Sequence, residues 1–324
     1  MKILITGCGG FVAPYVIEAL RNAFGSSVVI LGTHHRAVRC PGVDEVRLVD
    51  VNDAAAVSKT VSDFHPDHFI HLAAVSQIPT AAADANAAWR TNVLGTLNCA
   101  RAVLDFAGDA SFIFASSGHV YGDSHERRTE ESPVAPINEY GATKAAADIA
   151  LGALATRGLR VIRMRSFNHT GPRQSEMFVV PSFAAQIARI EQGQPPVIHV
   201  GDLEAERDFL DVRDVADAYA RTVLKAKDIP AGTVLNVCSG QPVKIRTMLD
   251  GLVALSHKPI AIEIDPARLR KLDLSISYGN PTRCRQMLDW KPQYTLQRTL
   301  SDVLEFQRSA VSFLQPGQGI AEAQ

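Results

Sequence analysis

The sequence predicts an α/β protein built on a doubly wound parallel sheet. Short apolar runs are separated, in most cases, by segments of helix length: KILITG, VVILG, VRLVD, HFIHLAA, SFIFASS and LRVIRMRS. Continuous apolar strands that alternate with helices are typical of a parallel sheet covered by helices on both faces. A smaller second domain is expected as well, because 324 residues exceed the usual length of one domain.

The first strand runs into a glycine-rich turn, ITGCGGFVAPYV, that opens the first helix. Gly7, Gly10 and Ala13 have the spacing of a dinucleotide-binding loop in which alanine replaces the third glycine. The first glycine permits a tight turn, the second lets backbone approach a phosphate, and the helix N-terminus offers free N–H groups. We therefore expect a dinucleotide in a Rossmann arrangement, with Phe11 and Val12 beside it.

The end of the second strand, VVILGTHHR, bears on which dinucleotide is preferred. An NAD-binding protein typically carries an acid there that hydrogen-bonds the ribose 2′-hydroxyl, but this chain has Gly32. Arg36 follows His34 and His35, and a guanidinium suits a 2′-phosphate. NADP(H) is therefore the predicted preference over NAD(H), with a solvated loop arginine as the alternative interpretation of Arg36.

Residues at the ends of the next strands are expected to line the same cofactor. VRLVD ends in an acid placed to reach the adenine, and HLAA ends the fourth strand beside the dinucleotide. The predicted contacts in this part of the chain are Asp50, Val51, Leu72, Ala73, Ala74 and Asn92.

The stretch NEYGATKAAADIA places Tyr140 and Lys144 four residues apart at the start of an alanine-rich helix. Side chains at this spacing share one helix face. A free phenol, with a pKa of about 10, exchanges protons reluctantly at neutral pH, and a nearby ammonium favours its ionised form. The pair is therefore either a proton-transfer unit or a coincidence of helix spacing, and the surrounding motifs must decide.

The glycine loop, HLAA, FASSGHVYG and YGATK, in this order and spacing, resemble the extended short-chain dehydrogenase/reductase family of NAD-dependent epimerases and dehydratases. The resemblance covers nearly the whole chain. It implies that Tyr140 is the acid/base, that Lys144 holds the nicotinamide ribose and lowers the tyrosine pKa, and that Ser117 binds the reacting oxygen. This chemistry requires no metal.

One position in that motif set departs from the dehydratases of the family. They usually carry an acidic residue two positions before the tyrosine of VYG, where this chain has His119. Elimination chemistry is therefore disfavoured. His119 either contacts the substrate or packs near the site.

The segments RSFNHTGPRQSEMFVVPSFAAQI, VGDLEAERDFLDVRDVADAY and LNVCSG are similar to the subgroup that reduces GDP-linked 4-keto-6-deoxymannose. The implied activity is NADPH-dependent reduction at C4 of a nucleotide-linked 4-keto-6-deoxy sugar, giving a GDP-6-deoxyhexose of the GDP-D-rhamnose type. The alternatives are a 4-epimerase or a 4,6-dehydratase of the same family, or a regulator that senses NADP without catalysis.

The same resemblance implies a set of substrate contacts. Asn168 and Val179 are expected near the diphosphate or base, and Arg207 and Arg270 are expected to pair with the phosphates. Lys271 stands where a proline is expected after Arg270. The full implied set is Ser76, His119, Asn168, Val179, Arg207 and Arg270.

Domain boundaries are placed around these motifs. Residues 1–165 and 209–239 are assigned to the dinucleotide-binding domain, 166–208 and 240–312 to the sugar-nucleotide domain, and 313–324 to a tail. RDFLDVRDVADAYARTVL is predicted as a helix, and TVLNVCSG as a strand that returns to the sheet.

Composition and charge disfavour several classes of partner. A net charge of −1 offers no general attraction for nucleic acid or an acidic membrane surface. Five scattered cysteines without a C-x-x-C pair fit small buried residues in a reducing compartment. Because no apolar run approaches the roughly 20 residues that span a bilayer, a cytoplasmic location is expected.

Two helical segments, TNVLGTLNCARAVLDFA and YGATKAAADIALGALA, are apolar or small on more than one face. A helix that packs only on its own sheet needs one apolar stripe. The second face therefore predicts a homodimer.

Overall fold

The computed structural model describes residues 1–269 and 275–313. Its strands are β1 (Lys2–Thr6), β2 (Val29–His34), β3 (Glu45–Leu48), β4 (His68–His71), β5 (Ser111–Ser117), β6 (Arg160–Ser166), β7 (Asn168–Thr170), β8 (Val197–Val200), β9 (Glu206–Asp211), β10 (Thr233–Val237), β11 (Pro242–Lys244), β12 (Ala261–Ile264) and β13 (Ile276–Ser277). Its α-helices are α1 (Ala13–Phe24), α2 (Ala54–Phe64), α3 (Ile78–Ala83), α4 (Ala85–Trp89), α5 (Thr96–Phe106), α6 (Glu139–Ala155), α7 (Val179–Glu191), α8 (Val212–Lys225), α9 (Ile245–Val253), α10 (Thr282–Leu288) and α11 (Leu296–Phe313). A π-helical segment, Arg90–Gly95, joins α4 to α5.

The main sheet is parallel throughout the described chain, with the strand order β3-β2-β1-β4-β5-β6-β10. The chain builds outward from β1 in one direction and then, from β4 onward, in the other. The strand order therefore reverses between β1 and β4, and doubly wound sheets bind ligands at the carboxyl ends of the strands at such a point. The predicted fold class is confirmed.

Helices cover both faces of this sheet, as the side chains of β1 show. Ile3 and Ile5 belong to a buried cluster with residues of α1 and α8. Leu4, between them, belongs to a second cluster with residues of α2, α5 and α6. Successive strand residues point to opposite faces, and complete burial of one such side chain contributes about 1.5–3 kcal/mol.

The chain divides into two compact units. The first comprises Met1–His169, Ala205–Val243 and the described residues of 271–294, and it contains the seven-stranded sheet. The second comprises Thr170–Glu204 with the described residues of 244–270 and 295–324, and it contains the parallel pair β8–β12 and the helices α7, α9 and α11.

Residues 275–294 are assigned by sequence to the second domain, but they lie in the first unit. Cys284, Leu288 and Trp290 are buried in the cluster formed with α1 and α8. The indole Nε1 of Trp290 donates to the carbonyl oxygen of Asp214, 3.0 Å away. Apolar burial on the sheet-covering helices therefore holds this segment in the first unit.

The segment RDFLDVRDVADAYARTVL is not one helix. Its first residues form β9, and α8 begins at Val212. Asp211 has an extended backbone, and its carboxylate accepts the N–H of Arg213 at 2.8 Å as an N-cap. A capping residue of this kind marks where a helix begins, so the chain before it is extended.

Two sequence-based assignments fall on the undescribed parts of the chain. Arg270 lies outside the described residues, as does the assigned tail from residue 314 onward. Within the described ranges, no helix is long and apolar enough to cross a membrane.

Candidate active site

The glycine loop after β1 has the geometry that close approach of a phosphate requires. Gly7 has a φ of +71°, and a Cβ on it would lie 2.8 Å from the backbone of Ala73. The N–H of Gly10 donates to the carbonyl oxygen of Gly7 at 2.9 Å, which closes the turn. No described side chain caps α1 at Val12, so the first N–H groups of this helix remain available to an anion. This turn fits the diphosphate of a dinucleotide.

The neighbouring end of β4 is held by a buried hydrogen-bond chain through His71. Nδ1 of His71 lies 2.7 Å from Oγ1 of Thr6, which also accepts the N–H of Ala73. Nε2 lies 2.9 Å from Oγ1 of Thr96, whose hydroxyl donates to the carbonyl oxygen of Asn92. Burial, and to a lesser extent Lys144, lowers the pKa of His71 to about 3. The imidazole is therefore neutral and fixes the backbone that leads into Leu72, Ala73 and Ala74.

Asn92 lies in the π-helical segment and is fully buried. Its Oδ1 accepts the N–H of Val75 at 2.8 Å, and its Nδ2 donates to the carbonyl oxygen of Val75 and to Oγ1 of Thr143. The side chain thus ties the loop after β4 to α6. Direct contact of Asn92 with the cofactor stays a prediction.

The loop after β2 carries the residues expected to select the cofactor. Arg36 is exposed, and its N–H donates to Nδ1 of His34 at 3.1 Å. At Gly32, a Cβ would lie 2.9 Å from Sγ of Cys8. The missing acid at position 32 therefore has a packing cause that sequence reasoning missed, in addition to any role in cofactor choice.

The next predicted adenine contact lies two residues after β3. Asp50 is exposed and accepts the N–H of Asn52 at 2.9 Å. Val51, which follows it, is buried.

The three predicted catalytic residues meet between β5 and α6. Ser117, the last residue of β5, lies beside Tyr140, and its Oγ accepts the N–H of His119 at 3.2 Å. Nζ of Lys144 donates to the carbonyl oxygen of Ala115 at 2.7 Å. Helix α6 begins after Asn138, whose side chain caps it, so the tyrosine enters the first turn.

The electrostatics of the pair differ from the expectation. Burial raises the pKa of Tyr140 above its ordinary value, and the hydrogen bond with Ser117 only partly opposes this. Burial also lowers the pKa of Lys144 to about 7, against a raising effect of Asp148. Burial thus dominates the pKa of the phenol and shifts it in the direction opposite to the one that the family resemblance implies. A phenol that stays protonated at neutral pH is a proton donor.

Asp148, two turns along α6 from Tyr140, is fully buried and was missed by sequence reasoning. Its carboxylate accepts from Nη2 of Arg165 at 2.8 Å, from Nη1 of Arg163 at 3.1 Å and from Oγ of Ser116 at 2.6 Å. These partners keep the pKa of Asp148 low although burial would raise it. Arg163 and Arg165, within the apolar run LRVIRMRS, were the signal that a buried acid faces this strand.

The predicted substrate residues are placed as follows. The ring of His119 packs edge-on against that of Tyr140, with centroids 5.8 Å apart. Ser76 is exposed after β4. Asn168 is on β7 and Arg207 is buried on β9, which pairs with β7. Val179 begins α7 in the second unit, and Arg270 lies outside the described residues. His119 is thus in contact with Tyr140, the predicted acid/base.

A model of the family described as GDP-mannose 4,6 dehydratase matches residues 4–303. The chain belongs to this family. Its members are NAD(P)-dependent enzymes of the short-chain dehydrogenase/reductase superfamily that act on nucleotide sugars, and the predicted family and enzyme class are confirmed.

Individual relatives within and around the family agree in length and fold. GDP-6-deoxy-D-mannose reductase of Pseudomonas aeruginosa is 35% identical over 96% of this chain and 98% of its own. The solved structure of RMD from Pseudomonas aeruginosa, complexed with NADPH, has a TM-score of 0.82 at 32% identity, covering 95% of this chain and 99% of that one. A UDP-glucose 4-epimerase of Thermus thermophilus, in complex with NAD, has a TM-score of 0.84 at 26% identity, covering 96% and 100%.

Proposed function

We propose that this family member reduces the C4 keto group of GDP-4-keto-6-deoxy-D-mannose with NADPH, giving a GDP-6-deoxyhexose. The observation that carries the proposal is the meeting of Ser117, at the end of β5, with Tyr140 and Lys144, at the start of α6, where Nζ of Lys144 donates to the carbonyl oxygen of Ala115 at 2.7 Å. A protonated tyrosine and a serine hydroxyl directed at one point suit a carbonyl oxygen that gains negative charge. The similarity to GDP-6-deoxy-D-mannose reductase supports the substrate.

Each residue has a distinct task in this reaction. NADPH, when bound, supplies the hydride to C4. Tyr140 donates its phenolic proton to the C4 oxygen, and Ser117 hydrogen-bonds the same oxygen. Lys144, held by the carbonyl oxygen of Ala115, offers its remaining N–H groups to the nicotinamide ribose. Removing one donor to a developing oxyanion typically costs about 10²-fold or more in turnover.

Recognition of the cofactor and substrate follows the sequence-based assignments. Gly7, Gly10 and the N-terminus of α1 bind the diphosphate of the cofactor, and Arg36 meets its 2′-phosphate. For the sugar nucleotide, Asn168 and Arg207 are the proposed contacts in the first unit. Arg207 is buried and donates to the carbonyl oxygen of Glu206, which orients its guanidinium.

Substrate-dependent oxidation of NADPH tests the proposal. Purified protein is given GDP-4-keto-6-deoxymannose, and NADPH loss and sugar product are measured together. We expect one NADPH consumed for each sugar reduced. In a parallel assay the protein is given UDP-glucose. Epimerisation of UDP-glucose at C4, with no reduction of the keto sugar and no net loss of NADPH, would replace the reductase assignment by a 4-epimerase.

A homodimer is part of the same proposal. The π-helical segment and α6 expose large apolar side chains: Leu94 is 56% exposed and Ile149 is 59% exposed. Apolar surface of this kind on helices is typical of an interface between copies. We expect twice the chain mass by light scattering at micromolar concentration, and Leu94→Glu with Ile149→Glu to yield monomers. A wild-type monomer would contradict the assignment.

A further inference from the structure

Two cysteines meet beneath the glycine loop. Sγ of Cys8 lies 2.7 Å from Sγ of Cys40, and both side chains are buried. Even two carbon atoms, which are smaller than sulfur, pack at about 3.5–4.0 Å, while a disulfide bond is about 2.05 Å long. The two sulfur atoms are thus closer than van der Waals packing allows but farther apart than in a disulfide bond.

The backbone on each side of this contact is fixed. The N–H of Cys8 donates to the carbonyl oxygen of Thr33 at 3.1 Å. Cys40 precedes a turn at Gly42, whose φ is +87° and whose carbonyl oxygen accepts from Nε of Arg21 at 2.9 Å. The two thiols are therefore held together by the fold and do not meet by chance rotation of side chains.

Segment 34–40, which runs from the last residue of β2 to Cys40, lies against the glycine loop. A Cβ on Gly9 would be 3.1 Å from Cγ1 of Val38 and 3.2 Å from Cδ2 of His34. The same segment carries Arg36. A bond between Cys8 and Cys40 would therefore join the loop that meets the cofactor's diphosphate to the loop that meets its 2′-phosphate.

We propose that Cys8 and Cys40 form a reversible disulfide under oxidising conditions and that this bond holds segment 34–40 in its cofactor-binding position. The effect on cofactor binding rests on the proposed function, whereas formation of the bond does not.

The oxidation balances with peroxide as the oxidant. The Cys40 thiol loses its proton, the thiolate attacks one peroxide oxygen and the O–O bond breaks. Cys40 becomes a sulfenic acid, and the departing hydroxide takes up the proton and leaves as water. The Cys8 sulfur then attacks the Cys40 sulfur, the S–S bond forms, the S–O bond breaks, and a second water carries away the Cys8 proton. Burial and the neighbouring Cys40 raise the pKa of Cys8 to about 12, which disfavours its thiolate, so the peroxide step is assigned to Cys40. Cys8 gives up its proton to the departing hydroxyl only as the S–S bond forms. A dithiol reverses the reaction.

The consequence for the cofactor follows from the distance. Closing 2.7 Å to a bond moves the sulfur atoms by only about 0.7 Å, so segment 34–40 keeps its place and loses freedom. Ordering a loop before binding removes a cost that the ligand would otherwise meet. We expect the NADPH dissociation constant to fall by about threefold to tenfold, and that of NADH, which lacks the 2′-phosphate, to change less.

The test treats the whole protein with hydrogen peroxide, alkylates the remaining thiols after unfolding, and maps disulfides in peptides. We expect one major cross-link, Cys8–Cys40, removed by dithiothreitol, with Cys99, Cys238 and Cys284 alkylated. NADPH affinity is then measured by fluorescence for oxidised and reduced protein, with Cys40→Ser as the variant and Cys284→Ser as the matched control.

Each outcome decides something. Oxidation that tightens NADPH binding in wild type and Cys284→Ser, but not in Cys40→Ser, supports the proposal. Absence of the Cys8–Cys40 peptide overturns the disulfide, and a cross-link with unchanged NADPH affinity overturns its action on the cofactor. Reduced protein that binds no NADPH at all would contradict the proposed function and leave the peptide map to judge the disulfide.

Discussion

The proposed catalytic face of α6 and the loop after β2 are built in opposite ways. Tyr140, Lys144 and Asp148 follow one another at four-residue spacing and face the end of β5. Lys144 donates to the carbonyl oxygen of Ala115, Asp148 accepts from Ser116, and Ser117 lies beside Tyr140. In the loop after β2, His35 and Arg36 are exposed, and the hydrogen bonds between the His34 ring and the Arg36 backbone run within the loop itself.

The difference follows from what each part must do. Proton transfer needs a fixed geometry and a shifted pKa, and burial against a sheet supplies both. Selection between two cofactors needs a charged group that meets a phosphate in water, which an exposed arginine provides. The catalytic face should therefore respond strongly to single substitutions, and the loop weakly and selectively.

The largest effect is expected at Asp148. Asp148→Asn leaves Arg163 and Arg165 buried without their carboxylate, and breaking a buried ion pair in this way costs about 3–5 kcal/mol. Urea unfolding measures the free energy. Asp63→Asn, which breaks an exposed pair with Lys59, is the control and should cost at most about 1 kcal/mol. Equal, small losses in both variants would contradict a structural role for the buried network.

Tyr140→Phe deletes only the hydroxyl and keeps the packing of the ring. Turnover should fall by roughly 10²-fold or more while NADPH affinity is retained, since the proton donor is lost and the cofactor contacts are not. Single-turnover reduction of GDP-4-keto-6-deoxymannose measures this. Tyr278→Phe, which removes a hydroxyl bonded to the carbonyl oxygen of His125, should react at the wild-type rate. A wild-type rate for Tyr140→Phe would show that another group donates the proton, and His119 would be the next candidate.

Lys144 should make the free energy of unfolding depend on pH. Its pKa is about 7 in the fold and 10.5 when solvated, so between these values the unfolded chain binds the extra proton. The unfolding free energy of the wild type should therefore rise with pH across this window, by roughly 1 kcal/mol per pH unit, relative to Lys144→Met. Denaturant titrations at pH 7, 8 and 9 check the slope. Parallel curves for both proteins would mean that Lys144 stays charged when buried.

The smallest and most selective effect is expected at Arg36. Arg36→Ala should lower kcat/KM for NADPH by about tenfold, the scale of one charge-assisted hydrogen bond, and leave kcat/KM for NADH unchanged. Arg39→Ala removes the same charge from another position of the loop and serves as the control. A wild-type protein whose kcat/KM for NADH equals or exceeds that for NADPH would remove the basis for assigning Arg36 to the 2′-phosphate.

The sheet and the placement of Tyr140 and Lys144 on one face of a helix could be predicted from the sequence because both depend on local patterns. Apolar runs fix the strands, and the four-residue spacing of Tyr140 and Lys144 survives in any helix. Asp148 and the Cys8–Cys40 contact could not be predicted, because each depends on partners far apart in sequence. Asp148 is 17 residues from Arg165, and Cys8 is 32 residues from Cys40.

The direction of the Tyr140 pKa shift could not be predicted from the sequence for a related reason. Sequence spacing shows that an ammonium is near but not how much water both groups lose. In the fold, burial raises the pKa of the phenol and lowers that of Lys144. The first residue of α8 could not be predicted from the sequence either. The residues before it form β9, a strand that depends on pairing with neighbouring strands, β7 and β13 among them.

Transfer of deuterium tests the reductase assignment most directly. Purified wild-type protein is given GDP-4-keto-6-deoxymannose and NADPH carrying deuterium at the transferable position of nicotinamide C4, and the sugar product is analysed by mass spectrometry and NMR. Because either face of the nicotinamide can be presented, both labelled stereoisomers are used. We expect one isomer to place a single deuterium at C4 of the GDP-6-deoxyhexose, with one NADPH oxidised for each sugar formed, and Tyr140→Phe to do so at least about 10²-fold more slowly. A product without deuterium from either isomer, or one formed without net oxidation of NADPH, would contradict the account.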